Sequence, residues 1–233
     1  MKLAITVGLI SLIAVSRKGM CEMLNLSKVA EQYIKKRYPG RVESWSLTGG
    51  YRVGDEHPVK GNVQEFKYEK ECEHTNSSLP PNCIDSYTLN FSKNILTPFV
   101  LKAHIAVSNN GTLHKFWFGL SGKSTITWNP RTVKHPNRYT NKSLQATCNF
   151  SAVIDLEGWL AFKLSYTRGD ESENDAIPIG LMHNSTIGLV RTGSDRLQYT
   201  AEGTYWHARI CRPKGNKNGA KKSRTSKPRP PRK

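Results

Sequence analysis

Apolar side chains recur at two different periods along this chain. In residues 27–38 (SKVAEQYIKKRY), Val29, Ala30, Tyr33, Ile34 and Tyr38 share one face at helical spacing, and Pro39-Gly40 ends the segment. Beyond it the period becomes two. In residues 63–72, Phe66, Tyr68 and Cys72 alternate with Glu65, Lys67, Glu69 and Glu71. Tyr87, Leu89 and Phe91 share a face, and Phe99, Leu101, Ala103, Ile105 and Val107 repeat the pattern. Asn109-Asn110-Gly111 is a hairpin turn signal leading into residues 113–118. Alternation returns at Leu144, Ala146, Cys148, Phe150, Ala152 and Ile154, and again at Leu160, Phe162, Leu164 and Tyr166; residues 186–190, 197–200 and 204–211 are further strand candidates. The pattern predicts a mainly β (α+β) fold with one N-terminal helix and an antiparallel sheet.

Lys2 precedes an apolar run over residues 3–15 that is too short to span a bilayer and has the length of a secretory h-region. Cleavage after Ser16 and cleavage after Cys21 both fit small residues at the −3 and −1 positions, so residues 1–21 read as a signal peptide with two candidate sites. No later run approaches 18 apolar residues, so a secreted protein with no transmembrane segment is expected. Asn-x-Ser/Thr sequons stand at Asn25, Asn76, Asn90, Asn110, Asn141, Asn149 and Asn184. With 16 Asn and 37 Ser plus Thr in the chain, roughly two to three would arise by chance, so the excess points to a glycoprotein. Strand parity agrees, since Asn90 and Asn149 fall opposite their apolar neighbours and Asn110 falls at the hairpin tip.

Setting Cys21 aside, Cys72, Cys83, Cys148 and Cys211 form an even set suited to two disulfides in an oxidising compartment. The ten residues between Cys72 and Cys83 contain Pro80-Pro81 and read as a loop joining two strands, which favours the pairing Cys72–Cys83 with Cys148–Cys211. If cleavage follows Ser16, Cys21 remains as an odd thiol able to link a dimer.

Charge is distributed unevenly. The formal net charge is +17, yet Arg212, Lys214, Lys217, Lys221, Lys222, Arg224, Lys227, Arg229, Arg232 and Lys233 supply ten cations with no acid in the last 22 residues. Four prolines and no apolar stripe predict a disordered basic tail over residues 212–233. Outside a cell, such a run suits a sulfated glycosaminoglycan or other polyanion through multivalent charge pairing. It lacks interleaved aromatics for base stacking. A solubilising tail, or a propeptide trimmed at Lys221-Lys222, is the alternative.

Catalytic motifs are lacking: His57, His74, His104, His114, His135, His183 and His207 are scattered, and no metal or cofactor motif appears. His104 and His114 flank the proposed hairpin and would support ribonuclease-like chemistry if they faced each other across it. Residues 169–175 form an acidic loop without calcium-loop spacing. The five tryptophans, Trp45, Trp117, Trp128, Trp159 and Trp206, read as core or sheet-face packing rather than a ligand platform.

Two segments resemble known families. KVAEQYIKKRYPGRV and EFKYEKEC…LPPNC, a helix feeding a strand and then two cysteines around a proline-bearing loop, resemble the cystatin-like superfamily of the cathelicidin pro-domain and latexin type over residues 27–107. That resemblance implies a helix cradled by an antiparallel sheet, although no Gln-x-Val-x-Gly loop is present. Cys148, Trp159 eleven residues on and Cys211 look like the spacing of an immunoglobulin-like sandwich over residues 144–211. Together they suggest a helix-plus-sheet domain at 22–128 and a β-sandwich-like domain at 142–211, or one continuous β domain over 22–211. The expected function is a secreted extracellular binding protein, not an enzyme and without a cofactor. Its body would engage an extracellular or cell-surface protein and its tail a glycosaminoglycan, in a host-defence or immune-modulating role that includes a viral secreted glycoprotein. A cystatin-type protease inhibitor is the alternative, and a basic secreted nuclease the third reading.

Overall fold

The computed structural model describes residues 21–50, 54, 56–69, 79–80, 82–109, 112–129, 141–165 and 173–213. The short strand β1 (Glu22–Asn25) leads directly into the helix α1 (Leu26–Arg37). Asn25 caps it, its Oδ1 accepting from Lys28 N at 3.1 Å, and Lys35, Lys36 and Arg37 in the last turn complement the helix dipole. Leu26, Ala30 and Ile34 form its buried stripe. The strands β2 (Val42–Ser46), β3 (Lys60–Val63), β4 (Lys67–Tyr68), β5 (Cys83–Leu96), β6 (Lys102–Asn109), β7 (Thr112–Gly119) and β8 (Thr125–Trp128) follow. Then come β9 (Asn141–Glu157), β10 (Trp159–Leu164), β11 (Glu173–Pro178), β12 (Val190–Arg191) and β13 (Arg196–Cys211). The fold is mainly β, as the period-two alternation predicts.

β13 is the middle of the largest sheet, whose path runs β1-β5-β13-β9-β3 with β12, β4 and β8 paired at its sides. β5 and β9 both run antiparallel to β13, so chain from either side of residues 129–141 builds one sheet. A three-stranded sheet, β11-β10-β2, and the β6–β7 hairpin complete the architecture. Alternation gives the long strands two unlike faces. One presents Leu89, Phe91, Phe150, Ala152, Ile154, Tyr199 and Leu197, all buried. The other presents Thr88, Asn90, Thr147, Asn149, Ser151, Thr204 and Glu202, all exposed or half-buried.

The β6–β7 hairpin covers the apolar face. Ala103 and Ile105 are buried, Phe118 meets Phe66 at 5.9 Å, and Phe66 meets Phe150 of the long sheet at 5.4 Å. Its base is pinned by polar groups that are themselves satisfied. The fully buried Asn94 donates from Nδ2 to the carbonyls of Leu120 (3.1 Å) and Lys123 (2.7 Å), and its own carbonyl accepts from the Tyr199 hydroxyl at 3.1 Å. Thr97 and Ser121 bond to each other beside it (3.0 Å).

Several sequence expectations are corrected. One disulfide is Cys83–Cys211, which excludes the expected pairing of Cys72–Cys83 with Cys148–Cys211. Cys83 opens β5, Cys211 closes β13, and the ladder sets them directly opposite with Cα atoms 4.0 Å apart. Cys148 sits in the middle of β9 opposite Tyr205, six residues up β13 from Cys211, and is itself disulfide-bonded. Cys72 lies outside the described residues. The strand expected over 63–72 is interrupted, because Phe66 turns into the core between β3 and β4. The segments at 197–200 and 204–211 are one strand. Residues 185–187 form a 3-10 turn capped by Asn184, which accepts from Thr186 N at 3.1 Å. Of the expected acidic loop, Glu173, Asn174 and Asp175 instead open β11.

Continuity of β13 depends on Gly203. Phe91 and Phe150 flank it in the ladder and meet at 5.2 Å across its surface. A Cβ there would run into the Asn90 carbonyl oxygen and come within 2.8 Å of the Phe150 ring. Gly203→Ala is therefore expected to cost about 1–3 kcal/mol of stability, read as a lowered midpoint in urea unfolding; an unchanged midpoint would contradict this packing.

Candidate functional site

Three surfaces surround the long sheet, and each carries a different chemistry. The first is the disulfide-clamped end. Beyond Cys211 the Arg212 amide donates to the Asn82 carbonyl at 2.9 Å, so the basic segment departs from a doubly tied point. Beneath it lies a buried charge cluster in which His207 Nε2 (3.1 Å) and Arg209 Nε (3.3 Å) both approach Asp85 Oδ1. Tyr87 stacks on His207 at 4.6 Å and on Trp128 at 5.3 Å. Burial pushes the Asp85 carboxyl up, but the neighbouring His207 and then Arg209, which donates to it from Nε, outweigh this and hold the carboxyl below its ordinary value. Burial pushes the Tyr87 phenol up, and the Asp85 charge adds to this.

The second surface is the polar face of β5, β13 and β9. Asn90 and Asn149 both stand opposite Thr204, one on each side, which places them in one row about 10 Å apart. Both head the same triplet, Asn-Phe-Ser, whose phenylalanines are the pair packed over Gly203. Asn90 accepts from Thr125 Oγ1 at 3.0 Å, and Asn149 Nδ2 donates to Glu69 at 2.9 Å. Two grooves of about 600 Å³ cross this side; one includes Glu69, Asn149 and Glu202, the other Asp155, Glu157 and Arg196.

The third surface is the outer side of the β6–β7 hairpin. The register sets Lys102 opposite Gly119, His104 opposite Trp117 and Ala106 opposite Lys115. His104 and Trp117 rings touch, with centroids 4.5 Å apart. Trp117 is 61% exposed, whereas Trp128 is 5% exposed. Packing accounts for Trp128 and leaves Trp117 unexplained. The register also places His114 opposite Val107, so His104 and His114 do not face each other as the ribonuclease-like reading requires.

Among the sequon residues, Asn25 caps α1, Asn141 opens β9 opposite Cys211, and Asn184 caps the 3-10 turn; Asn141 and Asn184 are exposed. Asn25 and Asn184 bond through Oδ1, not through the amide nitrogen that would carry a glycan. Cys21 is a half-buried free thiol. Arg212 is exposed, whereas Lys214, Lys217, Lys221, Lys222, Arg224, Lys227, Arg229, Arg232, Lys233, Asn76, Asn110 and residues 1–20 lie outside the described residues. Among the described residues no helix is long and apolar enough to cross a membrane, and no cluster of three His, Cys, Asp or Glu could hold a metal.

One signal was available in the sequence beyond the tail. Between Asp85 and Asp155 the chain has no acidic residue and eight Lys or Arg. That stretch contains the whole β6–β7 hairpin.

No protein-family model matches the chain, and neither does any curated protein. Among solved structures it is similar to a chain of the Cry23Aa1–Cry37Aa1 binary protein complex, with 11% identity, 80% of this chain and 85% of that chain covered, and a TM-score of 0.45. It is also similar to a non-toxic crystal protein from Bacillus thuringiensis, with 10% identity, coverage of 82% and 94%, and a TM-score of 0.43. The β-pore-forming protein Mpp75Aa1.1 of Brevibacillus laterosporus matches at 8% identity and a TM-score of 0.25, with coverage of 72% and 65%.

The Asp85 cluster yields a test. Its folded carboxyl lies below its ordinary value, so the stabilisation is complete above about pH 4 and is lost as pH falls through the depressed value. Asp85→Asn leaves Arg209 without this anion and should cost about 3 kcal/mol at neutral pH. In urea unfolding at pH 7 and pH 2.5, the gap between natural protein and variant should be large at the first and shrink at the second. An equal gap at both would refute the assignment.

Proposed function

We infer that this protein is a secreted, N-glycosylated extracellular binding protein. Its folded body engages a partner protein at or beyond the cell surface, and its basic C-terminal segment holds it on sulfated glycosaminoglycan or another polyanion. The observation that carries this reading is the placement of the cations: ten of them, with no acid, begin at Arg212, one residue past the disulfide that closes the central strand. A run of cations gains most from multivalent pairing when its root is fixed, because less freedom is then lost on binding.

The glycoprotein part is supported by where the described sequons fall. Asn90 and Asn149 project from the polar face, Asn141 and Asn184 are exposed, and Asn25 and Asn184 bond through their oxygen atoms. A bridged Cys83–Cys211 pair fits an oxidising compartment.

Two measurements test the proposal in full-length protein from a eukaryotic secretory host. Enzymatic removal of N-glycans should lower its apparent mass, with Asn90→Gln and Asn149→Gln each removing one step. Replacing the ten cations of residues 212–233 by Gln should lower the salt concentration at which the protein leaves a heparin column. Unchanged mass would overturn the glycoprotein assignment, and unchanged elution would overturn anchoring by the tail.

A further inference from the structure

We propose that the outer face of the β6–β7 hairpin is a second, tail-independent binding site for a sulfated saccharide. Trp117 would stack on a pyranose ring, and Lys102, Lys115 and Lys123 would pair with its sulfates. The proposal rests on the extracellular polyanion reading and extends it from the tail to the folded body.

The first argument is the cost of leaving Trp117 where it is. Burying an indole of this size stabilises a fold by about 2–3 kcal/mol, and the hairpin buries Ile105, Phe116 and Phe118 wholly or partly on its other side. An exposed tryptophan near the base of the strand pair, in contact with His104, is open to contact from outside. Its neighbours leave room for one. Gly119 stands beside it with open space where a Cβ would be, and Ala106 is the small residue on the other flank. Among the side chains described on this face, the exposed apolar area is therefore about one ring wide. That suits a single sugar better than a bilayer, which needs several anchoring apolar side chains. Among the described side chains, the exposed Val100 lies beyond Lys102 and outside the hairpin.

Charge supplies the second argument. The rows above and below Trp117 carry Lys102 and Lys115, Lys123 is exposed in the turn after β7, and neither strand contains an acid. The grooves of the polar face on the other side of the core offset Lys60, Lys67 and Arg196 with Glu69, Asp155, Glu157 and Glu202. An anionic chain is attracted more strongly to the acid-free hairpin side than to that face. Lysines spaced around an aromatic ring, with no acids to compete, are the elements for recognising a sulfated sugar.

The test uses full-length protein in two backgrounds, the natural tail and the Gln-substituted tail, with a heparin oligosaccharide and with vesicles of phosphatidylcholine and phosphatidylserine. Trp117→Ala and the double variant Lys102→Gln/Lys115→Gln should each weaken heparin oligosaccharide binding about tenfold in the Gln-tail background. Trp117→Phe should retain most of it. All three positions are exposed, so unfolding midpoints should stay unchanged and separate binding from folding. If the Gln-tail protein binds heparin as tightly as the natural one while Trp117→Ala weakens it, the hairpin site stands and tail anchoring fails. If neither hairpin variant shifts heparin affinity in either background, the hairpin site is wrong, whatever the tail does. Loss of vesicle binding in Trp117→Ala with unchanged heparin affinity would overturn it in favour of a lipid-facing surface.

Discussion

β13 is hydrogen-bonded to β5 on one side and β9 on the other along most of its 16 residues, and that double pairing is the constraint on which the rest depends. It fixes which side chains of three long strands share a face, and so divides the sheet into an apolar and a polar side. Gly203 keeps the strand unbroken where Phe91 and Phe150 must meet over it. At the far end the Cys83–Cys211 bridge joins the last pair of the β5–β13 ladder, closing a loop of 128 residues in sequence separation. By the chain-entropy account such a closure removes about 4–5 kcal/mol of freedom from the unfolded chain.

Surface chemistry follows from that division. The polar side holds two Asn-Phe-Ser triplets in register, so the same phenylalanines that build the core point their preceding asparagines outward. The apolar side must be covered, and the hairpin that covers it has an outer surface of its own. Asn94, Thr97 and Ser121 tie the base of the hairpin through buried and half-buried hydrogen bonds, close to where Lys102 and Trp117 sit. Anchored presentation lowers the ordering cost of binding.

Much of this was legible in the amino-acid pattern, because burial on one side of a strand leaves a period of two. The hairpin and the outward parity of Asn90 and Asn149 follow from that rule, and the helix follows from its own 3.6-residue spacing. What could not be read is long-range pairing. Cys83 and Cys211 are neighbours only because β5 and β13 are, and nothing local to either residue says so; the loop between Cys72 and Cys83 points to a different partner. Phe66 breaks an apparently continuous strand because a hole between Phe118 and Phe150 takes its ring. Gly203 looks like a break between two strands but is the residue that permits one. Trp117 and Trp128 have equal claims to the core by type; the hairpin register turns Trp117 outward opposite His104, and the pairing of β8 with β5 turns Trp128 inward opposite Tyr87. The acid-free run from Ser86 to Ile154 was visible in composition, yet only the fold shows that Lys102 and Lys115 within it fall on the same hairpin face as Trp117.

Hydrogen–deuterium exchange of the full-length protein with and without a heparin oligosaccharide tests the central claim most directly, that an anionic saccharide meets the hairpin side of the body. The account predicts slowed exchange across β6 and β7 on binding, with β9 and β13 unchanged. Slowed exchange confined to the polar strands, or no change anywhere in residues 21–211, would contradict it.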